Sequence, residues 1–576
     1  MSEQSHCDTY PCCFATLEDG QNVPWEGFFT GPQVIRKDKL KQLAQHLLSL
    51  PPSNGNDCTF DMVHERASQL IIPFIADDSG QLPPSLILHS ATSTTGGFEG
   101  DISEILSGGH AYDCATYLET RATIIATDGD FVLGRTSPWL DACRFLAFKK
   151  RGITALDIGY RDYYYLSQAL LVAASAYKDG ATIPFLDTLI AWYKSNPMPL
   201  VRVYTIDIEM QIFLCWLADE VDVDTIVVDS NSAEVATRWN QKGPLYPWVD
   251  WSDNLPFHHT TALEWYADEQ IGSEVYQKLG IKLPTLPGYR IANSNVQASS
   301  FLEQLTKAVE LLHTRHGIQT VCLKPSNAGD GARITTNIAV QDTEALKKLA
   351  ATACRYEDDY LLEPHFYYKR LNTAEGSFKI ALSAHIRYGH VLPSVTLQTM
   401  IGNVWVGNIL IPKEHAHVIG LSELQYDKIL NTMERIVQAF NRALVTGGVD
   451  FAIGTTDSVL EHDDNMLILQ DPNLSSHGAE YLRAFCDQHE ARIRDGYIAG
   501  TRVLKPTAQC TYDTLGQSLQ DFADNTGTEV YIIAVVPGRW AMIACFGHSP
   551  QTVIESLSQC ETWLSQAKLS TQSVIE

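Results

Sequence analysis

The sequence predicts a mixed α/β (α+β) protein of several domains. Three observations predict it. At 576 residues the chain exceeds what one hydrophobic core supports, so roughly two to four domains are expected. Around residues 223–239 a β-branched run feeds a polar turn and then a helix-like segment, the basic α/β unit. Between residues 378 and 412 three apolar runs interleaved with polar residues read as an antiparallel meander.

Charge and composition exclude several classes of function. The net charge is −26, from 42 basic and 68 acidic residues, which argues against nucleic acid or an anionic membrane surface as a partner. No segment reaches the roughly 18 consecutive apolar residues a membrane helix needs. No basic segment followed by an apolar run opens the chain, so no secretory leader is expected. The 13 cysteines form no CxxC pair and no disulfide framework, and read as reduced thiols of a cytoplasmic protein. Cys7, Cys12 and Cys13 cluster in a stretch that reads as a flexible, reduced N-terminus, with a metal role as the alternative.

Residues 1–60 look loosely organised, with polar and Pro/Gly/Asn-rich breaks at 51–56. From 68 to 190 short apolar runs alternate with turn signals, and 164–177 is apolar enough for a buried helix. No motif there carries legible chemistry. The run Val223-Asp-Thr-Ile-Val-Val-Asp229 predicts a buried strand, with Asp229 and Ser230 expected to cap the helix that follows. Pro284 and Pro287 punctuate the entrance to a further domain. Residues 301–313 carry Leu302, Leu305, Val309 and Leu312 on one helical stripe, ended by Gly317.

The first chemically loaded segment is Leu323-Lys-Pro-Ser-Asn-Ala-Gly-Asp-Gly-Ala-Arg333. It places Lys324 at a strand end, ahead of a small polar loop through Ser326, Gly329 and Gly331. The glycines let backbone N–H groups approach phosphate oxygens, and Lys324 would supply a point charge. A glycine-rich hairpin turn is the plain alternative, and no Walker motif is present. Next comes Asp359-Tyr-Leu-Leu-Glu-Pro-His-Phe366, a strand ending in Glu363. Here Pro364 retains a carbonyl acceptor and Phe366 a backbone donor for an adenine ring, and Glu363 would face the exocyclic amine or ribose. In the meander, Lys379 and Arg387 alternate with apolar residues. Arg387 is the stronger candidate to meet a phosphate or a substrate carboxylate.

A helix at 424–444 leads to Gly447-Gly-Val-Asp-Phe-Ala-Ile453, and a second strand runs into Asp471-Pro-Asn473. Asp450, Asp471 and Asn473 would present hard oxygen ligands for Mg²⁺, with Mn²⁺ as an alternative. A polar strand-end turn accounts for Asp471 and Asn473 alone, but not for the ordered series of lysine loop, hinge and paired acids.

That series resembles the ATP-grasp superfamily, in particular its D-alanine–D-alanine ligase-like carboxylate–amine ligases. The Lys324-Pro-Ser stretch, Gly-Val-Asp450-Phe and Asp471-Pro-Asn473 carry the resemblance, which covers about residues 276–500. It implies an ATP-grasp domain (281–500) whose two subdomains grip ATP, preceded by a pre-ATP-grasp α/β domain (191–280). An extra N-terminal α/β region (1–190) and a C-terminal α/β appendage (501–576), read as a lid or homodimer element, flank them. It also implies an acyl phosphate formed from a small-molecule carboxylate and attacked by an amine, with ADP and phosphate released. An ATP-grasp phosphotransferase, a thiol ligase and a nucleotide-binding regulator without turnover are the alternatives. The chain departs from the family pattern at Asp471, usually Glu, and at Ser475 and Gly448, where family members carry arginines.

Overall fold

The computed structural model describes residues 34–51, 59–77, 82–91, 118–160, 163, 165–236, 240, 242, 286–291, 293, 298–326, 333–355, 359–374, 376–401, 404–460, 465–538 and 540–571. Gly329 and Gly331, Cys7, Cys12 and Cys13, and Pro284 lie outside the described residues.

The first unit is a six-stranded, wholly parallel sheet. Its strands are β1 (Ile71–Pro73), β2 (Ser85–Leu88), β3 (Phe131–Gly134), β4 (Thr154–Asp157), β5 (Leu200–Val203) and β6 (Ile226–Asp229), in the order β1-β6-β5-β2-β3-β4. Strands β2, β3 and β5 are buried at every position, as a parallel sheet covered on its faces requires. Helices Leu166–Lys178 and Ile208–Val221 bury Leu170, Leu171, Ile212 and Phe213 in its core. Asp207 caps the second helix by accepting from Met210 N–H at 2.9 Å. This sheet takes its strands from both sides of the boundary expected at 190/191. Strands β5 and β6 pair directly with β2 and β1. The helix expected after β6 begins at Ala233, but Asp229 does not cap it. Ser232 Oγ accepts from Val235 N–H at 3.3 Å, while Asp229 pairs with the buried Arg202 at 3.2 Å.

The second unit is a four-stranded antiparallel sheet of β7 (Tyr289–Ile291), β8 (Thr320–Pro325), β9 (Thr335–Ala339) and β10 (Tyr360–Pro364), ordered β7-β10-β8-β9. Helices Ala298–His316 and Thr343–Ala353 cover one face through Phe301, Leu305, Leu312 and Leu346.

The third unit is an 11-stranded antiparallel sheet, interrupted by a separate hairpin of β12 (Arg370–Thr373) and β13 (Gly376–Lys379). It opens with β11 (Tyr367–Tyr368), β14 (Ala381–Arg387), β15 (His390–Val391), β16 (Val395–Ile401), β17 (Val404–Ile411), β18 (Gly447–Thr455) and β19 (Met466–Asn473). It continues through β20 (Ile498–Pro506), β21 (Val530–Val536), β22 (Trp540–Gly547) and β23 (Ser570–Thr571). Strand β20 carries Gly500 beside Ile409 of β17 and pairs along its length with β22. The residues expected as an appendage after 500 thus extend this same sheet. Gly454 lets β11 close on β18: a Cβ there would lie 2.1 Å from the Tyr367 carbonyl oxygen. Among the described residues, no helix is long and apolar enough to cross a membrane.

Candidate active site

A cavity of about 580 Å³ lies between the second and third units, and residues of the parallel-sheet unit line part of its wall. Five of the expected residues meet there: Lys324 on β8, Glu363 on β10, Asp450 on β18, and Asp471 and Asn473 on β19. Ser326, Pro364 and Phe366 line it as well.

At the β8–β10 wall, Lys324 Nζ lies 2.7 Å from Glu363 Oε2 and donates to the Gln470 carbonyl at 3.2 Å. Register explains the pair: Lys324 stands opposite Leu361, one diagonal step from Glu363. Burial pushes the Glu363 carboxyl up, and the Lys324 charge opposes it. Oxygen Oε1 of Glu363 is buried without a hydrogen-bond partner among the described residues. Next to this wall Phe366, Leu286 and Ile468 pack as an apolar patch with Ala452, and Phe366, Leu286 and Ile468 face the cavity.

The opposite wall holds the acids. Asp450 and Asp471 are directly opposed partners of β18 and β19, with a bulge just after Asp450, and Asn473 stands opposite Gly448. Asp450 Oδ1 accepts from Gln398 Nε2 at 2.6 Å and Oδ2 from Asn473 Nδ2 at 3.0 Å. Burial first, and then the charge of Asp471, push the Asp450 carboxyl up to about 7, against hydrogen bonds from Ser383 and Gln398. Two facing carboxylates and a carboxamide form a donor set suited to a hard divalent cation, which relieves their repulsion. A half-turn of the Asn473 carboxamide would present its oxygen instead of its N–H. The residues present therefore fit such an ion.

Lys242, from the end of the parallel-sheet unit, completes the cluster. Its Nζ lies 2.9 Å from Asp471 Oδ1, and its N–H donates to the Ser326 carbonyl at 3.0 Å. Two residues earlier, Asn240 Oδ1 accepts from Leu474 N–H at 2.7 Å.

A parallel α/β unit thus precedes two antiparallel units that face each other across the cavity. No family model matches the chain, and no curated protein matches its sequence. Similar solved structures include an N5-carboxyaminoimidazole ribonucleotide synthetase in complex with ADP. It shows 12% identity and a TM-score of 0.42, over 86% of this chain and 99% of that one. The biotin carboxylase domain of Hydrogenobacter thermophilus 2-oxoglutarate carboxylase shows 12% identity and a TM-score of 0.43, over 83% and 90%. D-alanyl-alanine synthetase A from Vibrio cholerae O1 shows 10% identity and a TM-score of 0.35, over 69% and 90%.

Arg387 is not where the sequence reading placed it. It lies outside the cavity wall, bound to Asp487 at 2.6 Å and Glu480 at 3.0 Å, with its guanidinium 4.9 Å from the Tyr388 ring. Ser383, His385 and Arg387 alternate along one face of β14, and the cavity ends at His385. Cations that do line it are Lys242, Lys324, Arg121, Arg370 and Lys379. Lys379 sits 5.2 Å from the Tyr368 ring. The absence of an arginine at 448 also has a steric reason: a Cβ on Gly448 would meet His385 Nδ1 at 3.1 Å and Ser383 Oγ at 3.2 Å.

Sequence reading missed Lys242, Arg121, Gln398 and Ser476. Gln398 had a signal, a lone amide within the apolar run of β16. The other three come from turns and a helix end whose neighbours only the tertiary fold supplies.

Proposed function

We propose that the chain is a magnesium-dependent, ATP-using ligase that activates a carboxylate as an acyl phosphate and joins it to an amine. The convergence of Lys324, Glu363, Asp450, Asp471 and Asn473 on one cavity, from four strands far apart in the chain, carries this reading. The apolar patch of Leu286, Phe366 and Ile468 offers a flat wall for adenine, with Pro364 and Phe366 backbone groups for its polar edge. Lys324 holds phosphate oxygens as a point charge, and its pairing with Glu363 orients it before nucleotide arrives. Ser326 and the loop amides of Gly329 and Gly331 would hold the remaining phosphate oxygens in line.

Asp450, Asp471 and Asn473 would hold the divalent cation, which supplies charge neutralisation at the phosphate oxygens. Lys379, on the cavity wall, takes the anion-facing role that Arg387 was expected to fill. A carboxylate oxygen of the substrate attacks the γ-phosphorus and ADP leaves. The amine nitrogen then attacks the acyl carbon, phosphate leaves, and the nitrogen gives up a proton. The chain needs no covalent nucleophile for either step; its part is orientation and exclusion of water.

The alternative with an observation behind it is a nucleotide-binding regulator, because the Lys242 ammonium rests on Asp471 where a cation would compete. One experiment separates the two. The protein is incubated with Mg-ATP and pooled amino acids, phosphate is measured and products are identified by mass. Phosphate release with a condensed product, absent in Asp471→Ala, supports the ligase. Tight ATP binding with no phosphate released across the pool supports the regulator. A phosphorylated product in place of a condensed one identifies a phosphotransferase.

A further inference from the structure

We propose that the cavity contains a second, anion-binding subsite, built by Arg121, Ser476 and the N-terminus of helix Ala479–Gln488, for the carboxylate of an apolar or aromatic acid. The inference rests on the ligase reading above and names the substrate class for it.

The subsite lies on the wall contributed by the parallel-sheet unit and the start of the helix after β19. Arg121 is 3% exposed, with its guanidinium carbon 4.4 Å from the centre of the Tyr481 ring and 5.3 Å from that of Tyr204. The two rings hold the guanidinium in place, and a held guanidinium suits the two oxygens of a carboxylate. Tyr204 is joined to the helix start by its carbonyl, which accepts from Ser476 N–H at 3.0 Å.

Ser476 is 6% exposed, it lines the cavity, and its Oγ has no hydrogen-bond partner among the described residues. A buried hydroxyl without a partner costs free energy that a ligand oxygen would recover. In the ten-residue helix behind it, Ala479 N–H donates to His477 Nδ1 at 3.2 Å and Glu480 N–H to the His477 carbonyl at 3.0 Å, so the helix contributes the field of its positive end to this wall and not open N–H groups. The acid on the helix, Glu480, is already held by Arg387 at 3.0 Å and Arg202 at 3.6 Å and does not oppose an incoming anion.

The apolar part of the ligand follows from the neighbours. Trp405 covers Gly478 so closely that a Cβ there would lie 2.5 Å from its ring. Met400 is its cross-strand partner, and both line the cavity. A carboxylate bound at Ser476 and Arg121 would therefore set its body against a tryptophan and a methionine. A small or highly polar acid leaves that surface uncovered.

The test is calorimetric titration of the full chain with L-phenylalanine and 3-phenylpropionate. The uncharged control is 3-phenylpropionamide, and every titration is run with and without Mg-ADP. The carboxylates bind and the amide does not. Arg121→Gln weakens carboxylate binding at least about tenfold and Ser476→Ala about threefold or more, while both variants keep wild-type ADP affinity. Arg121→Lys keeps the charge without the planar fork and falls between wild type and Arg121→Gln. If Arg121→Gln fails to fold, Ser476→Ala decides alone. Absence of carboxylate binding to wild type that binds ADP overturns the subsite, as does carboxylate affinity unchanged in Ser476→Ala and Arg121→Lys. Failure of wild type to bind ADP, with Arg121-dependent carboxylate binding intact, overturns the ligase reading and leaves the subsite standing.

Discussion

Lys324 Nζ stands 2.7 Å from Glu363 Oε2 with both side chains almost fully buried, so the residue expected to meet phosphate is also one half of a buried ion pair. Truncating the lysine removes a phosphate contact and strands a carboxylate. Breaking a buried pair from one side costs about 3–5 kcal/mol. Lys324→Ala is therefore expected to lose about 3 kcal/mol of stability as well as ATP consumption. Burial already raises the Glu363 carboxyl, so the stranded group takes up a proton at low pH and the loss grows as pH rises. The double variant Lys324→Met, Glu363→Leu regains most of the stability and none of the turnover. Urea midpoints for the three proteins, read beside ADP release, check this. A Lys324→Ala protein as stable as wild type at pH 8 would show that the pair contributes nothing to the fold.

Asp450 predicts a pH dependence. Burial and the charge of Asp471 push its carboxyl from the ordinary 3.8 up to about 7 in the folded protein. A raised carboxyl binds its proton more tightly in the folded state than in the unfolded one. Its contribution to stability is therefore present at low pH and is lost as pH rises from 3.8 to about 7. A divalent cation needs the ionised form, so Mg-ADP affinity rises through the same window and levels off above it. The Asp450→Asn variant lacks both slopes. Melting temperatures and Mg-ADP affinities of the two proteins between pH 5 and 8.5 test this, and parallel curves for the two would discard the assignment.

The strands that build the site were legible because their polar residues interrupt apolar runs. Lys324, Glu363, Asp450 and Asp471 each stand within or at the end of such a run, and the structure brings all four to one cavity. Asn473 shares a face with Asp471 by strand alternation. Alternation identifies a face and not the distance along it: Arg387 follows Ser383 and His385 on one face of β14, but the cavity stops at His385. The closure of the parallel sheet across residue 190 was illegible for a related reason. Strand β6 pairs with β1, 155 residues earlier, and no local pattern reports such a partner (Ile226 beside Ile71). Lys242 and Arg121 depend on that same long-range closure.

Lys242 predicts a competition. Its ammonium lies 2.9 Å from Asp471 and also draws the Asp450 carboxyl down. Replacing it with methionine removes a cation from the space a metal would use, and raises the Asp450 carboxyl further. At pH 8.5, well above that titration, the first effect dominates, and Mn²⁺ binding to the nucleotide-free Lys242→Met protein tightens about tenfold, or about 1.4 kcal/mol. At pH 6 the two effects oppose and the gain shrinks. Mn²⁺ titration followed by electron paramagnetic resonance at both pH values reads this directly. Weaker Mn²⁺ binding in the variant at pH 8.5 would mean that Lys242 supports the ion instead of competing with it.

Arg387 predicts a split between stability and binding. Its guanidinium joins Glu480 at 3.0 Å and Asp487 at 2.6 Å, and Glu480 is left with only the 3.6 Å contact to Arg202 when it is removed. Glu480 is buried and its carboxyl is already raised by burial, so the loss leaves a poorly compensated charge. Arg387→Met is expected to cost about 3 kcal/mol, a value at the lower end for a broken buried pair because one partner remains. It also removes the hold on the helix that begins at Ala479. Mg-ADP affinity should nevertheless stay within about twofold of wild type, since no atom of Arg387 lines the cavity. Lys379→Met should show the reverse, near-normal stability with ADP affinity weakened about tenfold, because that side chain does face the cavity. Denaturation midpoints paired with nucleotide titrations on the two variants distinguish the roles. Loss of ADP affinity in Arg387→Met at unchanged stability would return the arginine to the binding site and remove Lys379 from it.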